Sequence, residues 1–294
     1  MTVGKGIGWR SVLFVPGSRP DRFDKAITSD ADAVCVDLED AVAPAHKDQA
    51  RAAATAFLAH GGGGGSPDRV LRINSPRKAV GLRDLLAVIE ARPSGGTLLI
   101  PKVESAEELC WIDQLLTEAA LDLTLVALLE TPRAIDRAPA IVTAGPTRRL
   151  TAVMLGGLDL SAELGASGTW ESLLFARSRL VQAAAQAGIA AIDMPFVDVG
   201  DPEGCGSEAR RALALGFTAK MAIHPTQVPI INETYTPTPE EVARAQRVVR
   251  ALADAPDGVL LLDGKMVERP VVLAMERVLA RARAAGLPPR RESS

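Results

Sequence analysis

The stretch Thr124-Leu125-Val126-Ala127-Leu128-Leu129-Glu130-Thr131-Pro132 holds one complete architectural unit. Its Leu/Val run is too short for an ordinary helix and reads as a strand buried on both faces. Glu130 closes the run with a charge. Thr131-Pro132 then supplies a capping hydroxyl followed by a proline at the first helical position, the mark of a helix start. The same order recurs along the chain. Apolar runs rich in Val, Ile and Leu fall at residues 11–15, 33–39, 70–74, 97–102, 124–130, 152–157, 190–196 and 220–224, separated by alanine-rich segments at helical spacing. Eight parallel strands joined by crossover helices predict the α/β class and a closed (β/α)8 TIM barrel. A doubly wound open sheet more often carries GxGxxG after its first strand, and none follows Val15. Further helix starts are marked by Asp201-Pro202 and by two capping-box patterns, Ser105-Ala106-Glu107-Glu108 and Thr238-Pro239-Glu240-Glu241.

A chain of 294 residues with 47% hydrophobic and 23% charged residues has the balance of a globular protein with a large core. Its net charge of −3 leaves no excess of cations to neutralise a phosphate backbone, so nucleic acid is not an expected partner. No apolar stretch is long enough to span a bilayer, and the opening Met1-Thr2-Val3-Gly4-Lys5 lacks the apolar core of a signal peptide. A cytoplasmic location is the expectation. Cys35, Cys110 and Cys205 are far apart with no CxxC pair, which predicts buried free thiols rather than a zinc site or disulfides.

The run Gly61 to Gly65 reads as a flexible connection between the second helix and the third strand, since no strand precedes it and no Lys-Ser or Lys-Thr follows. Barrel closure accounts for residues 1–235. Residues 236–294 form a helical extension: an amphipathic helix, an apolar segment at 259–262, and a final helix ending near Ala285, with frayed residues from Arg290 onward. Such a tail either packs across the barrel base or reaches a neighbouring subunit.

In a barrel of this kind the chemistry sits at the carboxyl ends of the strands. Strand two ends Asp37-Leu38-Glu39-Asp40, strand three carries Arg72 and Asn74, strand four ends at Lys102, strand five at Glu130, and strand six leads to Asp159. Side-chain alternation puts Asp37 with Glu39, and Arg72 with Asn74, on shared faces. Carboxylates around one arginine, with hardly any histidine nearby, suit a hard divalent cation with oxygen ligands, and Mg2+ is the natural choice. The plainer alternative is a set of structural ion pairs at the barrel rim.

At these residues the sequence resembles the citrate lyase β-subunit-like branch of the HpcH/HpaI aldolase and citrate lyase family. The likeness runs through Arg10-Ser11-Val12-Leu13-Phe14-Val15-Pro16-Gly17, Asp37-Leu38-Glu39-Asp40-Ala41-Val42, Leu71-Arg72-Ile73-Asn74 and Pro101-Lys102-Val103-Glu104-Ser105. It continues through Leu129-Glu130-Thr131, Gly156-Gly157-Leu158-Asp159-Leu160, Gly216-Phe217-Thr218-Ala219-Lys220 and Ile223-His224-Pro225-Thr226-Gln227. The resemblance implies a (β/α)8 barrel assembling as trimers or hexamers, with acyl-CoA and 2-keto acid substrates and Mg2+ as cofactor. It implies that Glu130 and Asp159 hold the metal and that Arg72 binds substrate oxygens. Glu130 and Phe14 border the substrate, and Glu39, Asp40 and Glu268 join Arg72 as candidates for the chemistry.

Arg19, Arg22 and Lys25 follow the Pro16-Gly17 turn and make either a solvated surface or an anion-binding rim for coenzyme A. The family's metal-dependent aldolases use a histidine base close to the end of strand two, where this chain has acids and only His46 further on. His224 closes strand eight and reads as a turn residue before Pro225. The family's acyl-CoA lyases carry an aspartate where this chain has Glu268, and Asp263 is a nearby substitute or a turn residue. The leading expectation is a lyase acting on a malyl-CoA or citramalyl-CoA type thioester. A hydroxyacyl-CoA thioesterase, a citrate lyase β-subunit acting on an acyl-carrier-protein thioester, and a non-catalytic metal- or CoA-binding protein are the alternatives.

Overall fold

The structure, a computed structural model, describes residues 7–60, 67–146, 148–253, 260–262 and 264–287. Eight strands close a parallel barrel in chain order: β1 (Ser11–Pro16), β2 (Ala33–Asp37), β3 (Asp68–Arg72), β4 (Thr97–Ile100), β5 (Thr124–Leu129), β6 (Leu150–Leu155), β7 (Ala190–Asp193) and β8 (Ala219–Ala222). Closure is made by β8 on β1, with Ser11 opposite Lys220 and Leu13 opposite Ala222. The helices between them are α1 (Phe23–Ile27), α2 (Lys47–Ala59), α3 (Ala79–Ala91), α4 (Ala106–Glu118), α5 (Pro132–Ala144), α6 (Gly157–Leu164), α7 (Trp170–Ala187) and α8 (Pro202–Leu215). Helix α9 (Gln227–Tyr235) follows β8.

All eight expected strands are present; β1 runs one residue past the sequence reading, to Pro16, and the carboxyl ends of the other seven fall one to three residues short of it, as where 33–39 becomes Ala33–Asp37. Apolar character continues past the ladder because the chain must still enter the loops over a buried core. Most strand residues are buried on both faces, lumen and helix side alike, which is why the runs do not alternate. Thr131 accepts the Ala134 amide at 3.1 Å and Asp201 accepts that of Gly204 at 2.8 Å, so both proline-marked caps form. Thr238 and Glu241 make the reciprocal capping box at 2.9 and 3.2 Å. Ser105 does not cap: Glu108 instead accepts the Glu104 amide at 3.2 Å, one residue before the expected position.

Helix α10 (Pro239–Ala253), a small antiparallel hairpin of β9 (Leu260–Leu262) and β10 (Lys265–Val267), and α11 (Arg269–Ala284) follow. The hairpin was not foreseen, because three-residue strands carry too little periodicity to register. Val248, Val267 and Val272 form a small core of their own there. Cys35 and Cys205 are buried, whereas Cys110 is exposed on α4, contrary to expectation. The glycine run at 61–65, Asp263 and residues 290–294 lie outside the described residues.

A charge cluster is buried between the barrel wall and its outer helices. Lys220 of β8 donates to Asp193 at 2.8 Å, to Glu208 of α8 at 2.8 Å and to the Met194 carbonyl at 2.7 Å. Arg177 of α7 completes it, 2.9 Å from Asp193 and stacked 4.3 Å from the Trp170 ring. Lys220 and Asp193 are fully shielded from solvent, so their mutual pairing is what allows the charges to be there.

Candidate active site

The barrel brings its charges together at the carboxyl ends of five consecutive strands. Asp37 and Arg72 are register partners at the last rungs of β2 and β3, which fixes their separation before any side chain is placed. Arg72 spends its fork on Asp37, with Nε and Nη2 each 2.6 Å from a carboxylate oxygen. Nη1 is turned away from Asp37. It lies 3.1 Å from Glu39 Oε2 and 3.5 Å from Asp40 Oδ2, and the guanidinium sits 5.6 Å from the centre of the Phe14 ring. Burial works against the charge of Arg72, but the hydrogen bonds and charge of Asp37, with Glu39 and Asp40, hold it protonated well above its ordinary range.

Glu130 stands one residue past β5, almost wholly buried. Its Oε1 accepts the Lys102 amide at 2.8 Å. Gly156 explains why it fits. A Cβ at Gly156 would lie 2.3 Å from the Glu130 Cβ and 2.5 Å from its Oε2, so the chain after β6 passes directly over the carboxylate. Gly156→Ala must therefore displace Glu130, and if Glu130 belongs to the active site a shift of about 1 Å is expected to lower kcat/KM by roughly 100-fold. Steady-state kinetics check this, and a change under about threefold would show that Glu130 tolerates displacement.

Burial pushes the Glu130 carboxyl up to about 9, with the charges of Glu39 and Asp159 adding to it. Asp159, in the first turn of α6, resists its own burial through hydrogen bonds with Lys102 and Glu130 and is held below the usual carboxylate range. One proton thus belongs to the pair, on Glu130 and shared toward Asp159. Glu39 is raised as well, chiefly by burial. Lys102, two residues past β4, places Nζ 3.0 Å from Asp159, 3.3 Å from Glu39 and 3.9 Å from Glu130.

The donor set fits a magnesium ion. Two carboxylates on adjacent strand ends, one of them buried and short of a counter-charge, leave the remaining positions of an octahedral ion to water and substrate oxygens. Among the described residues no group of three or more His, Cys, Asp or Glu side chains is placed to hold a metal ion by itself, which speaks against a closed cage of protein ligands.

Several expected residues stand elsewhere. Asn74 does not face the centre: its side-chain amide donates to the Leu38 carbonyl and Asp84, while its oxygen accepts from Lys47 at 2.8 Å. Strand alternation fails for it because β3 ends at Arg72. Arg22 and Lys25 are exposed beyond β1, and Arg19 is paired with Asp21 at 2.7 Å. Glu268 precedes α11, and among the described residues no hydrogen bond or ion pair joins it to the cluster. His46 is exposed, and His224 bonds Thr226 at 2.8 Å, a local turn.

Sequence reasoning missed the supports. Lys47 of α2 donates to the carbonyls of Leu38 and Glu39 at 2.6 and 2.5 Å and so clamps the acidic loop from below. Asp84 of α3 takes the Asn74 amide at 2.9 Å and Arg51 at 2.6 Å. Arg77 bonds the Lys102 carbonyl and Glu104, and Thr131 bonds Glu104 at 2.9 Å. The buried polar position of Asp84 inside an otherwise apolar helix face was the one available signal.

Comparison with known proteins matches the chain to a family. Residues 10–225 match the family described as HpcH/HpaI aldolase/citrate lyase. A citrate lyase subunit beta-like protein of Mycobacterium tuberculosis is 38% identical over 94% of this chain and 96% of its own length. The mitochondrial citramalyl-CoA lyase of Rattus norvegicus is 29% identical over 93% and 86%. The crystal structure of CitE from Mycobacterium tuberculosis in complex with magnesium, acetoacetate and coenzyme A superposes with a TM-score of 0.75 at 34% identity, covering 95% of this chain and 99% of that one. The chain belongs to the HpcH/HpaI aldolase/citrate lyase family.

Proposed function

We propose that the protein is a Mg2+-dependent carbon–carbon lyase that cleaves or forms a 3-hydroxyacyl thioester of the malyl-CoA or citramalyl-CoA type by Claisen chemistry. The observation that carries this reading is the convergence of Glu39, Glu130 and Asp159 with Arg72 at the carboxyl end of the barrel, two of the three acids raised by burial. Relatives named citrate lyase subunit beta and citramalyl-CoA lyase, and a neighbour bound to magnesium and coenzyme A, support it.

Glu130 and Asp159 would hold the metal, which when bound supplies positive charge for the oxygens of a keto acid. Arg72 offers Nη1 to a substrate oxygen on which negative charge develops, while Asp37 holds the planar guanidinium in a fixed orientation through Nε and Nη2. Glu39, buried and reluctant to ionise, accepts and returns a proton beside that arginine. Asp40, exposed 3.5 Å from Nη1, borders the entrance, and Phe14 walls the arginine from water. Glu130 also lines the substrate's side of the pocket. Arg22 and Lys25 supply exposed cations for the phosphates of coenzyme A. Glu268 acts, in this reading, on the site of a neighbouring subunit, with residues 236–294 as the extension that packs there and with trimers or hexamers as the assembly; light scattering reads that mass directly. The location that goes with this reading is the cytoplasm; among the described residues no helix is long and apolar enough to cross a membrane.

A panel of hydroxyacyl-CoA thioesters, assayed with Mg2+ and with chelator and followed by mass analysis, tests the function. Release of a 2-keto acid that stops with chelator is expected. Free hydroxy acid with no keto acid would identify a thioesterase instead.

A further inference from the structure

Lys102 is held with more care than a surface lysine needs. Its backbone is left-handed, with φ of 55°, a conformation that disfavours any residue with a Cβ. Both faces of its peptide are nonetheless pinned. The amide donates to Glu130 and the carbonyl accepts from Arg77, which is itself fixed by Glu104 at 2.7 Å. Val103, the next residue, bonds the Leu128 carbonyl at 3.3 Å. A strained residue that its surroundings over-determine points to a required side-chain position. That position is the middle of three carboxylates, with Nζ at 3.0 Å from Asp159, 3.3 Å from Glu39 and 3.9 Å from Glu130.

We propose that Lys102 is a displaceable counter-cation: its ammonium competes with the divalent ion for the oxygens of Glu130 and Asp159, and Glu39 retains it once displaced. This rests on the magnesium reading of the site. The geometry makes the competition direct, because both cations draw on the same oxygens and repel one another when they share them. Glu39 is not among the proposed ligands, yet it already touches Nζ, so the lysine has a second place to stand without a change of backbone. The consequence is a deliberately weak metal site in the substrate-free protein. An anionic keto acid adds charge to the site and tips the balance toward the metal, so metal and acid bind cooperatively.

Isothermal titration of Mg2+ into the full chain, with and without pyruvate as the acid probe, tests this. Lys102→Met is expected to bind Mg2+ at least about tenfold more tightly than wild type in the absence of pyruvate, and pyruvate should then improve binding less than it does in wild type. Lys102→Arg keeps the charge and should bind no more tightly than wild type. If the lysine merely holds Glu130 and Asp159 in place, Lys102→Met binds more weakly, and that opposite sign, or an unchanged affinity, overturns the proposal. Lys102→Gln, neutral but able to hydrogen-bond Asp159, carries the same test if the methionine variant fails to fold. Glu130→Gln separates the two readings: if it leaves Mg2+ binding intact, the metal assignment fails irrespective of Lys102.

Discussion

Glu130→Gln should abolish turnover and, in metal-free buffer at pH 7.5, yield a protein more stable than wild type. The loss of activity follows from removing one of two proposed metal ligands, an effect expected to exceed about 1,000-fold in kcat. The gain in stability follows from the proton. Burial raises the Glu130 carboxyl from 4.5 to about 9, so at neutral pH the folded chain must keep a proton that the unfolded chain has already released. A group raised in this way contributes its full stability below about pH 4.5 and loses it as pH climbs through about 9. At pH 7.5 the penalty is on the order of 2–4 kcal/mol. Glutamine is always neutral, accepts the Lys102 amide as Glu130 does, and can donate to Asp159 in place of the carboxyl proton. Its metal-free Tm should therefore lie roughly 5–10 °C higher. Its stability should also vary less with pH between 5 and 9. Calorimetry with EDTA across that range is the measurement, and a variant less stable than wild type at pH 7.5 would show that Glu130 is ionised and well paired in the fold.

Lys220→Met should produce the largest loss of stability, about 3–5 kcal/mol. The side chains are similar in length, so packing changes little, but three hydrogen bonds vanish, to Asp193, Glu208 and the Met194 carbonyl. Asp193, fully shielded, then keeps Arg177 at 2.9 Å as its one ion-pair partner among the described residues. An uncompensated buried charge is the most expensive outcome of breaking such a pair. Urea unfolding monitored by circular dichroism reads the loss. Pairing the change with Asp193→Asn should recover part of it, since the orphaned charge is then gone. A shift under about 1 kcal/mol in the single variant would mean that water reaches the cluster.

The strand runs, the helix caps at Thr131 and Asp201, and the site acids could be read from local sequence because each depends on neighbours within a few residues. Arg72, Glu130 and Asp159 were legible as charges closing apolar runs. Lys102 was visible at a strand end, but its left-handed backbone and three carboxylate contacts come from four different loops, and no spacing rule encodes them. Asn74 was misplaced because alternation was carried two residues past the end of β3, where the chain has left the ladder. Lys47, Arg77 and Asp84 were missed for the reason that helix α2, the turn before α3 and helix α3 deliver them by packing, at separations of 9, 25 and 10 residues from the groups they hold. Glu268 was reached through resemblance alone.

The polar frame of the site is contributed by the segments following β2 through β6: Arg72 with Asp37 and Glu39, Lys102 with Glu39, Glu130 and Asp159, and Arg77 with Glu104. Among the described residues, the segments after β7 and β8 send no ion pair into it. The rim after β2 through β6 is therefore fastened by ion pairs, while the segments after β7 and β8 are held to one another through Gln227, at 2.7 Å to the Phe196 carbonyl and 2.9 Å to the Ile223 amide. Substitutions at Val197, Val199 or Ile223, all exposed, touch none of the ion pairs of the proposed site. Sequence change in these two loops is thus uncoupled from the electrostatics that hold the proposed site together.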